Sequence, residues 1–369
     1  MLEGLRVVEI SAFVAAPLGG ATLARMGAEV TRVDPPGGNI DAHRWPVHEG
    51  RSLYWAGLNR GKRSVTLDLR SEGGQDVAAR LAVSAGAVLT NLSPRGALSY
   101  EALRPRRPDL VMVQIAGHRD GRTAVDYTVN AETGFPWITG AADADRPVNH
   151  VLPAWDVATG YLAAASLLAA DRDRARTGSG QLVTLSLADV ALQVAEHLGL
   201  VDEARLLPDE RGRFGNDVYG TYGSDFRTSD GVFVMVLALT PRQWRSLLAA
   251  TGLSFDHLGA DLREEGERWA HRGAINAALG EWIAARSYAE VAELFQEHEV
   301  LWGRFRTFRE LVEGDPRVPE LLASRAPDPE LGGDTLAVLE ELGEDVEELR
   351  AAGVLGDAVS PPTSMRERG

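Results

Sequence analysis

Apolar and polar positions along the first 120 residues alternate between two rhythms. Residues 5–10 (LRVVEI) form a short strand-type run, and residues 15–26 carry helical spacing, with Pro17 suited to a first turn. Gly27 closes that helix, residues 28–33 read as a second strand, and Asp34-Pro35-Pro36 stops it. Further strands are predicted at 64–69 (SVTLDL), 87–91 and 110–115, with helices at 75–84 and 100–103 between them. Strands alternating with helices predict an α/β fold, a doubly wound, mostly parallel sheet whose ligands bind at the carboxyl ends of its strands.

From residue 125 the rhythm becomes helical. Asp156 opens a long Ala/Leu-rich helix that stops near Asp171-Arg172; a Thr177-Gly178-Ser179-Gly180 turn, a strand at 181–185 and a helix at 187–198 follow. Residues 201–215 are charged and contain Pro and Gly, which predicts a linker. Beyond it, a hairpin at Ser229-Asp230-Gly231, a strand at 232–237 and amphipathic helices to about residue 318 make a smaller α+β domain. The expected organisation is a large α/β domain over 1–200, a linker over 201–215, a small domain over 216–318 and a tail over 319–369 returning to the large domain. No internal repeat is present.

Composition narrows the chemistry. The chain has 369 residues, 44% hydrophobic and 25% charged, with a net charge of −15, so nucleic acid and anionic membranes are poor partners. A local basic pocket for one small polyanion remains compatible with that charge. Cysteine is absent, which removes disulfides, thiolate metal sites and cysteine nucleophiles. Lys62 is the sole lysine. The first residues lack the charged-then-apolar pattern of an export signal, and the most apolar run, 161–170, is half the length of a membrane span. A soluble, cytoplasmic protein is expected.

Familiar motifs are missing. The first strand–helix turn, Val14-Ala15-Ala16-Pro17-Leu18-Gly19-Gly20, has no G-x-G-x-x-G, and its glycines fit close helix packing better than a dinucleotide. The eight histidines show no paired metal spacing, so no metal is expected, and neither a G-x-S-x-G elbow nor a P-loop occurs. Two carboxylates sit at element ends. Asp156 reads either as a helix N-cap or as a nucleophile kept ionised by the helix N-terminus; Asp126, in Val125-Asp126-Tyr127-Thr128, reads as a cap or as a second acidic group.

Several blocks, in order, resemble the family III (formyl-CoA transferase type) CoA-transferases, a group that includes α-methylacyl-CoA racemases. They are Leu2-Glu3-Gly4-Leu5-Arg6-Val7-Val8, Gly27-Ala28-Glu29-Val30, Val33-Asp34-Pro35-Pro36-Gly37-Gly38, Asn59-Arg60-Gly61-Lys62-Arg63-Ser64 running into Leu67-Asp68-Leu69-Arg70, Val88-Leu89-Thr90-Asn91-Leu92, and Gly178-Ser179-Gly180-Gln181. The resemblance implies an interlocked homodimer and catalysis through an aspartyl-CoA thioester on Asp156, with Asp126 as the acidic neighbour. It places CoA against Phe13, Val14, Leu67, Arg70, Asn91 and Leu92, and oxyanion donors near Phe13-Val14 and the Gly220/Gly223 loop; Arg32, beside the Val33-to-Gly38 turn, is a further candidate for the CoA phosphates. Coenzyme A enters as part of the substrate, with no prosthetic group, and the partners are a small acyl-CoA and a carboxylate. Arg70 stands where the family has lysine and keeps the charge. Ser99 and Ala116 stand where formyl-CoA enzymes carry basic residues.

The racemase branch pairs its aspartate with a histidine where this chain has Val125, and supports it with a glutamate where this chain has Thr240. Neither residue here can exchange protons near neutrality, which favours CoA transfer. The blocks 126–136, 147–156 and 215–220 resemble more narrowly the mesaconyl-CoA (2-methylfumaryl-CoA) isomerase branch, which moves CoA between the two carboxyl groups of one C5 dicarboxylate. For such a substrate Asn130, Asn149 and His150 are the candidate carboxylate binders. Intermolecular transfer to another acid and a silent CoA-binding protein are the competing readings.

Overall fold

The computed structural model describes residues 1–355, which form two compact units. The first comprises residues 1–133, 150–208 and, among the described residues, 325–355; the second comprises 134–149 and 209–324. Three boundaries differ from those read in the sequence. The second unit runs to Ser324, past the expected end at 318. Residues 134–149 cluster with the second unit, and the expected linker begins with a helix, Leu200–Leu206, that stays with the first. Short helices hide in charged segments because periodicity is hard to see over fewer than two turns.

The first unit is built on a six-stranded parallel sheet. Its strands are β1 (Arg6–Ile10), β2 (Glu29–Asp34), β3 (Arg63–Thr66), β4 (Ala87–Thr90), β5 (Val111–Ala116) and β6 (Gln181–Ser186), in the spatial order β3-β2-β1-β4-β5-β6. The order reverses between β1 and β4, and the crevice beyond their carboxyl ends is where such sheets bind ligands. The helices used below are α1 (Ala15–Arg25), α2 (Leu53–Asn59), α3 (Glu72–Ala85), α4 (Asp126–Ala131) and α5 (Ala154–Thr177).

Strand alternation divides the packing. Val8 and Ile10 of β1 join Val33, Val65, Val77, Ala78 and Leu81 in a core that also takes Val338 and Leu339 from the C-terminal segment. That segment also closes the sheet edge: Asp334 and Thr335 accept from the N–H groups of Ser64 (2.8 Å) and Thr66 (3.0 Å) of β3. Strand β3 ends at Thr66, earlier than the apolar pattern suggests: Leu67 N–H still bonds the Asp34 carbonyl, but Asp68 N–H turns to the Val354 carbonyl. The alternate residue of β1, Glu9, faces α1.

Helix α1 packs on α5 through a glycine pair. A Cβ on Gly160 would lie 2.7 Å from the Ala15 carbonyl oxygen, and one on Gly19 would lie 3.0 Å from the Gly160 oxygen. The glycines of the first turn therefore serve helix contact, as their place in the helical pattern suggests. Helix α5 starts earlier and ends later than expected. It passes Asp171-Arg172 because these charges are solvated or paired, with Arg174 donating to the Gly86 carbonyl at 2.6 Å, and it stops at Gly178 with φ of 72°.

The second unit holds an antiparallel sheet of β7 (Gly223–Arg227), β8 (Phe233–Leu237) and β9 (Leu301–Arg304) in the order β9-β8-β7, under helices whose core includes Phe226, Trp244, Ile275 and Phe295. Its hairpin turns at Thr228–Val232 with Gly231 at φ of 87°.

Candidate functional site

Asp156 is the third residue of α5, and Pro153 occupies the cap position without a side-chain bond. The cap comes from another helix. Asp126, the first residue of α4 and 2% exposed, accepts through Oδ2 from the N–H groups of Trp155 (2.7 Å) and Asp156 (3.1 Å). Its other oxygen, Oδ1, lies 2.8 Å from His150 Nε2. Asp126 thus discharges the capping role that Asp156 itself does not fill.

The two carboxyls are therefore unlike. Asp126 is held by three donors, whereas Asp156 accepts no hydrogen bond on its side chain among the described residues. Asp156 is partly buried, and burial, reinforced by the Asp126 charge and opposed by Arg44, pushes its carboxyl up to about 7. This corrects the expectation that the helix N-terminus keeps it ionised: desolvation and a like charge outweigh the dipole. Tyr54 of α2 also senses the Asp156 charge; burial first, with Asp156 among the charges opposing its ionisation, pushes its hydroxyl up to about 12. Arg44 stacks over the Tyr54 ring at 4.9 Å, and Tyr127 donates to the Val151 carbonyl at 3.1 Å. Arg44 and Tyr54 carry no motif in the sequence and were missed there.

Beneath the carboxyl ends of β1 and β2 lies a closed charge network. Arg32 is wholly buried and donates to Asp34 (2.7 and 3.1 Å), Glu9 (3.1 Å), Asp41 (3.2 Å) and Ser11 (2.9 Å). Burial alone would weaken its hold on the proton, but Asp34, Glu9 and Asp41 more than reverse that. Arg32 is thus a structural cation and not the phosphate ligand expected from the sequence. Lys62 joins the same network, with Nζ 2.8 Å from Glu9 Oε2, 2.9 Å from Asn59 Oδ1 and 2.8 Å from the Pro17 carbonyl. The Asn59-to-Ser64 signature is accordingly built inward, and burial brings the Lys62 ammonium down to about 8.

The network reaches the loop after β1. Asp41 Oδ2 accepts from Phe13 N–H at 3.1 Å and holds Phe13 at φ of 63°, with its ring about one-third exposed. That N–H is therefore taken and cannot serve an oxyanion, which corrects the sequence reading. Val14 is the buried cap residue of α1, a helix that begins without a side-chain cap. Across the switch point, Asn91 clasps Ala12, accepting from its N–H at 2.9 Å and donating to its carbonyl at 2.6 Å.

The other candidates separate. Leu67 is a fully buried core side chain, so it offers a ligand only backbone. Arg70 is exposed and leans on Asp68 at 3.1 Å. Leu92, also exposed, lines a cavity of about 260 Å³ with Leu69, Gln75, Ser93 and Arg95 at the carboxyl ends of β1 and β4. Arg95 is a further basic group that the sequence reading did not select. Ser99 caps a short helical turn through Ala102 N–H, and Ala116 ends β5. Asn130 is buried and accepts from Trp155 Nε1 at 3.1 Å through Oδ1. His150 serves Asp126, which withdraws its Nε2 from the candidate carboxylate binders, and Asn149 is exposed and clusters with the second unit. Gly220 and Gly223 form the turn into β7, with Val218 N–H bonded to the Gly223 carbonyl at 2.9 Å. Thr240 N-caps a helix, and Val125 is half exposed. Among the described residues no group of side chains could hold a metal ion, and no helix is long and apolar enough to cross a membrane.

A carboxyl without donors, seated beside a fully bonded one and one helix turn from a glycine contact, is equipped for covalent acyl chemistry. The chain is 50% identical over 328 residues to the 2-methylfumaryl-CoA isomerase of Chloroflexus aurantiacus, covering 86% of this chain and 80% of that protein. It is 29% identical over 353 residues to the succinyl-CoA–D-citramalate CoA-transferase of the same organism, covering 90% and 85%. A crystal structure of a CAIB/BAIF family protein from Brucella suis superimposes with a TM-score of 0.77 at 26% identity, covering 92% of this chain and 98% of the other. The model of CoA-transferase family III matches residues 2–338, and with these relatives it establishes that the chain belongs to that family of enzymes.

Proposed function

We propose that the chain moves CoA between the two carboxyl groups of 2-methylfumaryl-CoA (mesaconyl-CoA), with Asp156 as the covalent carrier. The donor-free Asp156 carboxyl beside the capped Asp126 carries this reading, and the 50% identity to a 2-methylfumaryl-CoA isomerase supports the substrate. An Asp156 oxygen attacks the thioester carbonyl, the C–S bond breaks, and a mixed anhydride and CoA thiolate result. The thiolate attacks the Asp156 side-chain carbonyl, the anhydride C–O bond breaks, and an aspartyl-CoA thioester and the free dicarboxylate remain. The other carboxylate of that same molecule then attacks the aspartyl thioester, and the steps run in reverse to the regioisomer. No proton is consumed.

The loop held by the buried network places CoA. Phe13 and Val14 at the end of β1, with Asn91 and Leu92 at the end of β4, line the path, and the 260 Å³ cavity with Arg95 takes the nucleotide end, with exposed Arg70, next in sequence to the cavity-lining Leu69, as a second cation. Oxyanion donors come from the uncapped first turn of α1. The protein works as a cytoplasmic homodimer on small acyl-CoA substrates. Incubation with mesaconyl-CoA and no added acid tests the reading: the regioisomeric thioester forms, and borohydride reduces the trapped aspartyl thioester at Asp156 to the alcohol. CoA ester that forms only from an added acid would overturn the isomerase reading and leave intermolecular transfer.

A further inference from the structure

Within the first unit, one hydrogen bond to the machinery around Asp156 has no part in the steps above. His150 immediately precedes the Val151–Pro153 approach to α5, and its Nε2 lies 2.8 Å from Asp126 Oδ1. The ring is held edge-on to Tyr127 (6.0 Å between centroids) and beside Trp155 (6.1 Å). Asp126 then spends Oδ2 on the two N–H groups that start α5, one of them belonging to Asp156 itself. His150, Asp126 and the Asp156 backbone therefore form one continuous chain of hydrogen bonds, with every link at 3.1 Å or less.

The chain has an electrostatic consequence. Asp126 is a like charge beside Asp156 and opposes its ionisation, as Arg44 favours it. A donor on Oδ1 draws charge to the far side of the Asp126 carboxyl, away from Asp156. The charged groups that act on Asp156 are Asp126 from α4 and Arg44 from the loop before α2; Tyr54 of α2 senses the Asp156 charge, and His150, packed on Tyr127, sits on Asp126. Of these, His150 is the one that touches Asp126 directly.

Resting on the reading of Asp156 as the nucleophile, we propose that His150 is a positioning residue: donating from Nε2, it fixes Asp126 across the start of α5 and moderates the negative charge that Asp126 imposes on Asp156. It acts through Asp126 and touches no reacting atom. This role differs from the carboxylate-binding role suggested by the sequence, because the ring nitrogen is spent on the protein's own carboxyl.

The test compares full-length wild type, H150A, H150Q, D126N and H150A/D126N by two readouts: the acid-side midpoint of kcat/KM for CoA transfer, and the titration of Asp156 in ¹³C-carboxyl aspartate spectra, assigned by the signal lost in D156N. H150A raises both midpoints by about half to one pH unit, from the strengthened repulsion. H150Q, whose amide nitrogen sits where Nε2 does, restores them. In the D126N background H150A moves neither midpoint. Midpoints unmoved by H150A, or moved equally with and without Asp126, would overturn the proposal. If H150A does not fold, H150N replaces it, its amide being too short to reach Oδ1. The spectroscopic titration keeps the two ideas apart: D156N that retains transfer would sink the nucleophile reading while leaving the His150 effect measurable.

Discussion

Replacing Gly160 by alanine tests whether the α1–α5 contact sets the nucleophile. The added Cβ would stand 2.7 Å from the Ala15 carbonyl oxygen and 3.1 Å from Leu18 Cβ, the first of these a backbone atom that cannot rotate away. A carbon–oxygen contact settles at about 3.3 Å or more, so the two helices must part by roughly 0.6 Å. Alanine favours a helix over glycine by about 1 kcal/mol, whereas overpacking costs about 1–3 kcal/mol, so the net is a loss of up to about 2 kcal/mol. Asp156 lies one turn upstream on the same face. A misplacement of about 1 Å costs about 100-fold in rate, so a shift of this size lowers the single-turnover rate of CoA transfer about tenfold. The control is Gly57→Ala in α2, where nothing lies within 4 Å of the new Cβ and the melting temperature is unchanged or rises. G160A with a wild-type single-turnover rate and a raised melting temperature would refute the reasoning, because that is the response of an unconstrained helical glycine.

Four further outcomes follow from the same structure. D156A abolishes CoA exchange while CoA binding, read by calorimetry, persists; loss of binding with residual exchange would remove Asp156 from the chemistry. Because Asp156 is ionised only above about 7, kcat/KM falls about tenfold per pH unit below that point and levels above it. The sign for stability is opposite: its folded pKa lies above the free value of 3.8, so its favourable contribution is fully present only below about pH 4 and is lost as pH rises to 7, and D156N melts higher than wild type at pH 8, less so at pH 5, and not at pH 3. Gly20→Ala drives a Cβ to 1.8 Å from Glu9 Oε2, and Glu9 is tied by Arg32, Lys62 and Ser11, so at least one charge-assisted bond is lost at a cost of about 1.5–3 kcal/mol. The melting temperature of G20A therefore falls, and a rise would show that Glu9 is free to move.

The strand and helix succession was legible because buried parallel strands are dense in apolar residues and their crossover helices keep an apolar face. The switch point between β1 and β4 was not, since strand order is a property of distant pairings. Arg32 shows where local reading misleads. A cation near a phosphate-binding turn suggested a ligand, yet β2 pairs Arg32 directly with Glu9 of β1 inside a sheet covered on both faces, and a charge there must be met by another charge. Asp156 stands out in the sequence but its ionisation does not, because Asp126 reaches it across 30 residues. His150 was picked out for its chemistry, but its partner, 24 residues away in sequence, is visible only in three dimensions. Arg44 and Tyr54 lie in no motif, and only the folded loop brings their charge and hydroxyl toward the carboxyl.

The central claim is that CoA leaves and rejoins the same dicarboxylate through Asp156. A crossover experiment tests it most directly: mesaconyl-CoA heavy in the acyl group is mixed with mesaconyl-CoA heavy in the CoA, no other acid is added, and the regioisomeric product is analysed by mass spectrometry during the first turnovers. The account predicts product in which each acyl group keeps its original CoA. Product with acyl groups and CoA redistributed at random, or product that forms only when free acid is supplied, would contradict it.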